Sequence, residues 1–120
     1  MPKKLLIVDD EETMRRLYDR IFSGEGYSFT LAGSVAEAKR LMAANRYDLL
    51  ITDLILEDGA GTELIEPGEE NGCRIPSILI TGGIEPWEVP LFTEKYKLKE
   101  CFRKPFSADS LLTAVKELLA

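Results

Sequence analysis

The 120-residue chain contains no histidine at all. That absence removes Ser-His-Asp and Cys-His triads, histidine-based zinc sites, and any phosphohistidine carried by this chain itself. Phosphate chemistry on its own side chains would have to use carboxylates or hydroxyls. Cysteine is nearly as scarce. Cys73 and Cys101 are too few for a disulfide framework, and a reducing compartment suits them as free thiols. Apolar runs reach only about four residues, far short of a membrane span or a signal-peptide core, so a cytoplasmic chain with no membrane partner is expected. Basic residues are outnumbered, 15 Lys and Arg against 21 Asp and Glu, for a net charge of −6. No basic surface therefore advertises nucleic-acid binding, and none is expected.

What is present suits a soluble globular chain, 45% apolar and 30% charged. The length fits one domain, residues 1–120, with a real core but no room for two. Five short apolar segments predict strands at Leu5–Val8, Phe29–Leu31, Leu49–Thr52, Ile78–Thr81 and Cys101–Phe102. The first, third and fourth are unbroken runs rich in Leu, Ile and Val, as expected of strands buried on both faces of a parallel sheet.

Between them the period becomes helical. Met14, Leu17, Tyr18, Ile21 and Phe22 form one apolar stripe that Ser23-Gly24 should end. Ser34 and Glu37 have capping-box spacing ahead of Ala38, Leu41 and Met42. Ser107 opens a last helix whose Leu111, Leu112, Val115, Leu118 and Leu119 face inward. Residues 60–72 begin as a helix at Thr62–Ile65 that Pro67-Gly68 should cut short, and Pro86 and Pro90 predict a late or kinked helix within 84–99. The alternation gives (βα)5, an α/β three-layer sandwich around a parallel sheet.

In such a fold all strands point one way, and ligands bind where their carboxyl ends meet. Those ends carry Asp9-Asp10 after the first strand, Asp53 after the third, Thr81 closing the fourth and Lys104 after the fifth. Each alone has an ordinary explanation: Asp10 is a good helix N-cap, Asp53 can begin a loop, Thr81 suits a strand, and Lys104 can be a solvated strand end. Glu11 and Glu12 are assigned to the first helical turn, where the macrodipole favours acids. Jointly, three carboxylates on one rim need a counter-charge. Two unit charges about 4 Å apart repel by about 4 kcal/mol at an effective dielectric of about 20. The acids must hold protons or bind a cation, and an all-oxygen donor set favours Mg²⁺ or Mn²⁺.

The segments LLIVDDEE, LLITDL, ILITGG and FRKPF together resemble the four signature blocks of the response-regulator receiver domain of two-component signalling, and the resemblance spans the whole chain. It implies a flavodoxin-like sheet of order 2-1-3-4-5. It also implies Asp53 as phosphoryl acceptor, Asp9, Asp10, Asp53 and the Ile55 backbone carbonyl as Mg²⁺ ligands, and Thr81 and Lys104 as partners of the phosphoryl group. A cis peptide before Pro105 is often part of the pattern. The donor would be a sensor histidine kinase or a histidine phosphotransfer protein, and the phosphorylated chain would control an output domain or a downstream protein, with a homodimer as a further expectation. Such a chain is no enzyme for other substrates, catalysing only its own phosphorylation and dephosphorylation.

Several positions depart from the family pattern. Cys101 stands where an aromatic switch is usual, with Phe102 directed to the opposite face; Leu56-Glu57 replaces Met-Pro, and Lys97-Leu98 replaces Gly-Ala. With Pro86, Trp87 and Pro90 in the same region, the usual output switch is not expected to operate. Trp87 is assigned to packing or a partly buried surface contact, with partner docking as the lesser alternative, and Cys101 to a small core position. A phosphatase of the haloacid dehalogenase type would need Asp-x-Asp after the first strand, which Asp9-Asp10-Glu11 does not supply. A nucleotide-binding loop would need glycines that Gly59-Ala60-Gly61 lacks. A degenerate receiver would have lost a site residue, and none is lost.

Overall fold

Alternating faces of five short strands divide the core in two. In a computed structural model describing residues 2–65 and 75–120, β1 (Lys4–Val8), β2 (Ser28–Ala32), β3 (Leu49–Thr52), β4 (Ser77–Thr81) and β5 (Glu100–Arg103) form one sheet. Its order is β2-β1-β3-β4-β5, with every neighbouring pair parallel. This is the expected order and fold class, and each observed strand contains its predicted segment. The register pairs Val8 with Ala32 and Thr52, and Thr81 with Arg103, which aligns the carboxyl ends.

Successive side chains alternate across the sheet. Leu5, Ile7, Leu49, Ile51, Ile78 and Ile80 pack with Tyr18, Phe22, Leu111 and Val115. Leu6, Val8, Leu50 and Leu79 pack on the other face with Val35, Ala38, Leu64, Ile65 and Leu98. The helices α1 (Glu12–Phe22) and α4 (Ala108–Leu118) cover the first face, α2 (Val35–Ala44) and α3 (Val89–Lys95) the second. At β5, half-buried Cys101 faces the α2 side and Phe102 the α1 side, the predicted split. Among the described residues no helix is long and apolar enough to cross a membrane.

The helix ends follow local chemistry with two corrections. The α1 N-cap is Glu11, not Asp10, because the Asp9 carboxylate bends the chain by accepting the Glu11 N–H at 3.0 Å. Ser34 Oγ caps α2 by accepting the Glu37 N–H at 3.0 Å, yet the Glu37 carboxylate reaches the Gly33 N–H at 2.7 Å rather than that of Ser34. Ser107 Oγ accepts the Ser110 N–H at the start of α4. α3 starts late, as expected, after a 3₁₀ turn at Pro86–Glu88. It ends in a Schellman motif, with Lys97 N–H to Glu94 O at 3.3 Å and Leu98 N–H to Thr93 O at 2.9 Å. Lys97 itself takes a left-handed φ of 53°. The segment starting at Thr62–Ile65 shows a 3₁₀ turn at Gly61–Leu64. Its predicted stop at Pro67-Gly68, like Cys73, lies outside the described residues.

Between β3 and that turn stands a small antiparallel hairpin, Ile55–Leu56 against Gly59–Ala60. Sequence periodicity gave no warning of it. Gly61 follows, pressed against the chain that leads out of β3, with its N–H on Leu54 O at 2.8 Å.

Candidate functional site

The β1 and β3 strands end one residue before an aspartate, and backbone bonds hold both aspartates in register: Asp9 N–H reaches Ala32 O at 3.0 Å, and Asp53 N–H reaches Val8 O at 3.1 Å. Their side chains turn inward and are almost wholly buried. From the far side of the rim, Lys104 N–H bonds to Thr81 O at 2.9 Å. That bond aims its side chain across the gap. Lys104 Nζ donates to Asp9 Oδ2 and to Asp53 Oδ2, at 2.9 Å each, joining residues 95 and 51 positions away.

The sequence pattern missed one member of this cluster, Glu11. Its carboxylate lies 3.5 Å from Lys104 Nζ. Oxygen atoms of Asp9, Glu11 and Asp53 all lie within 4.8 Å of one another, a spacing that could hold a metal ion. Glutamate is a poor N-cap, and Glu11 at that position makes no side-chain cap bond. Its carboxylate is therefore free to turn toward the site, which the sequence, with Asp10 as the expected cap, gave no sign of. Asp10 is half-buried beside the cluster and is not one of the three.

Of the remaining predicted residues, Thr81, Ile55 and Pro105 stand at the same edge. Thr81 is buried, and its Oγ1 accepts the Gly83 N–H at 3.1 Å. Ile55 N–H points to Asp53 Oδ1 at 3.3 Å, while the residue as a whole is 61% exposed. The Lys104–Pro105 peptide is cis. Arg15 Nη1 donates to Asp9 O at 2.8 Å, bracing the loop that carries both acids. Cys101 lies on a core face away from this edge, and burial pushes its thiol pKa up.

Charge in the cluster is unbalanced: three carboxylates face one ammonium. Burial pushes the Asp9 carboxyl above its ordinary value, although the Glu11 amide and Lys104 pull the other way. Burial works against the Lys104 ammonium, yet its hydrogen bonds to Asp53 and Asp9 outweigh that cost and hold it charged well above the usual lysine range. The donor set is all oxygen, the surplus charge is negative, and among the described residues no imidazole or thiolate joins it. These residues fit a hard divalent cation of the Mg²⁺ kind. Chemically, the site offers a buried carboxylate nucleophile beside a fixed ammonium.

A family model for the response regulator receiver domain matches residues 5–116. The chain is 30% identical over 121 residues to sporulation initiation phosphotransferase F of Bacillus subtilis, covering 99% of this chain and 95% of that protein. It is 29% identical to response regulator MprA of a Mycobacterium species, covering 99% of this chain and 51% of that one. The chain thus spans about half the length of MprA and of the DltR transcriptional regulator of Streptococcus agalactiae. Among solved structures, a CheY-like receiver domain protein from Methanospirillum hungatei superposes with a TM-score of 0.86 at 27% identity, covering 99% of this chain and 94% of that one. A signal receiver domain from Pseudomonas fluorescens gives 0.88 at 22% identity, covering 99% and 95%, a likeness of fold.

Proposed function

Because the chain belongs to the response regulator receiver domain family of two-component signalling, we propose that it is a Mg²⁺-dependent switch that takes a phosphoryl group onto Asp53. The observation that carries this reading is the Lys104 ammonium bridging Asp9 and Asp53 at 2.9 Å each.

Asp53 is the nucleophile. A carboxylate Oδ attacks phosphorus in line, a P–O bond forms, and the P–N bond to the donor imidazole breaks with the electron pair leaving on nitrogen. No deprotonating base is required, since a carboxylate is already ionised at neutral pH. Lys104 stands where its ammonium can turn from Asp53 to a phosphoryl oxygen. Thr81, at the end of the neighbouring strand, can exchange the Gly83 amide for the new oxygens. Asp9, Asp10, Asp53 and the Ile55 carbonyl would hold Mg²⁺, with Glu11 beside them; the ion would offset charge on the phosphoryl oxygens. The donor is a phosphohistidine on a sensor kinase or a histidine phosphotransfer protein, since this chain has no histidine of its own. The acyl phosphate formed is open to hydrolysis, so the mark is temporary. The only reactions catalysed are on the chain itself, in a cytoplasmic setting.

Output follows another route than an aromatic swing, since Cys101 occupies that position. The added length of relatives such as MprA supports an output domain or a downstream partner as the receiver of the signal. The decisive experiment is mass spectrometry after incubation with Mg²⁺ and acetyl phosphate. Wild type gains one phosphoryl mass and Asp53→Asn does not. An unmodified wild type, or steady turnover of many phosphomonoesters, would overturn the reading.

A further inference from the structure

The hairpin that follows Asp53 is anchored at its tip by a carboxylate remote in sequence from its partners. Asp58 Oδ1 accepts the Val35 N–H at 2.8 Å, and Asp58 Oδ2 accepts the Ala36 N–H at 3.0 Å. These are the first two amides of α2. With Ser34 Oγ on the third, at Glu37, every donor of the first three residues is met. The cap of α2 is thus shared between its own serine and a residue 23 positions downstream.

Other contacts tie the same tip to α2. Glu63 accepts the Ala60 N–H at 2.9 Å through Oε2 and meets Lys39 Nζ of α2 at 3.3 Å through Oε1. Gly59 lies so close that a Cβ there would stand 2.5 Å from Glu63 Oε2 and 3.4 Å from Val35 Cγ2. The base of the hairpin is the site. Ile55 pairs with Ala60, and its N–H faces Asp53 Oδ1 at 3.3 Å. Two-stranded hairpins of this size do not hold themselves in water. Their geometry is set by what grips them.

We infer that Asp58 is a positioning residue for the acceptor side of the site: by gripping the first turn of α2 it fixes the hairpin that presents Ile55 to Asp53. The inference rests on the assignment of Asp53 as phosphoryl acceptor and Ile55 as its metal-side neighbour. It assigns a role to a residue that touches neither metal nor phosphoryl group.

The test uses the full chain as wild type, Asp58→Ala, Asp58→Asn and Glu57→Ala, with Mg²⁺ titrated directly and through the rate of acetyl phosphate labelling. In Asp58→Ala, the Mg²⁺ concentration for half-maximal effect rises about tenfold in both titrations, while the labelling rate at saturating Mg²⁺ stays within about twofold. Asp58→Asn keeps one acceptor oxygen and recovers most of the affinity, and Glu57→Ala matches wild type. Exchange of the Val35 and Ala36 amides quickens in Asp58→Ala. Faster exchange with an unchanged Mg²⁺ midpoint would overturn the inference, since the cap would then be structural only. A fall in saturated rate with no shift in midpoint would do the same. If wild type takes no phosphoryl group, the acceptor assignment fails, and the direct Mg²⁺ titration still decides the role of Asp58.

Discussion

Replacing Gly61 by alanine should damage the protein far more than the same change at Gly82, although both glycines neighbour the site. A Cβ at Gly61 would fall onto the carbonyl oxygen of Asp53, 2.6 Å from Thr52 Oγ1 and 3.0 Å from the Asp53 carbonyl carbon. The obstacle is buried backbone, so no side chain can swing away. Relief requires Asp53 or Gly61 to move, which strains the Thr52 Oγ1 bond to Asp53 O at 2.9 Å and the Gly61 N–H bond to Leu54 O at 2.8 Å. Overpacking costs about 1–3 kcal/mol and each of the two weakened bonds about 1 kcal/mol, which together give about 3–5 kcal/mol. That is a large part of a typical total of about 5–15 kcal/mol. In urea unfolding with a slope of about 2 kcal/mol per molar, the midpoint should fall by about 1.5–2.5 M. At Gly82 the nearest atom to a Cβ is Lys104 Cβ at 3.7 Å, an ordinary contact. Gly82→Ala should stay within about 0.5 kcal/mol of wild type. Equal midpoints for the two variants would refute the argument from close approach.

Asp10→Ala should weaken Mg²⁺ binding about tenfold or more with an unchanged circular dichroism spectrum; a wild-type metal titration would remove Asp10 from the ligand set. Asp9→Asn should raise the urea midpoint in Mg²⁺-free buffer at neutral pH. A carboxyl whose folded pKa is raised contributes stability only at low pH and loses it as pH climbs through the folded value; a lowered midpoint would show that its two hydrogen bonds outweigh its burial. The Asp58 and Glu63 carboxyls are both held below their ordinary values, Asp58 by the Val35 and Ala36 amides and Glu63 by the Ala60 amide and Lys39. Their contribution is full above the unfolded value and is lost as pH falls through the folded one. Between about pH 6 and about pH 3 the wild-type stability curve should therefore drop more steeply than that of Asp58→Asn/Glu63→Gln, and parallel curves would contradict the assignment.

How much of this was legible in the chain depends on whether the cause was local. Continuous Leu-Ile-Val runs marked β1, β3 and β4, because burial on both sheet faces leaves few polar positions within them. The stripes on α1 and α4 were equally plain. The gathering of Asp9, Asp53 and Lys104 followed from parallel strands sharing an edge. Glu11 could not be placed the same way, since its direction depends on the Asp9 carboxylate bending the chain at the start of α1. The grip of Asp58 on Val35 and Ala36 left no periodic trace, for the partners lie 23 and 22 residues apart. Asp58-Gly59 is nonetheless a turn dipeptide, and it was the one sign of the hairpin. The short α3 was blurred by Pro86 and Pro90, which act as first-turn residues there rather than as breaks.

With all five strands running one way, the opposite end of the sheet carries none of the proposed chemistry. The connections there, around residues 23–27 and 43–47, are largely exposed. They are the places where residues can be added, lost or recoloured without the reactive pocket registering the change. Over evolutionary time a domain built this way can alter its outward character from beneath while its chemistry stays put. An engineer seeking a spot for a fluorescent probe or an inserted peptide would begin at that lower end.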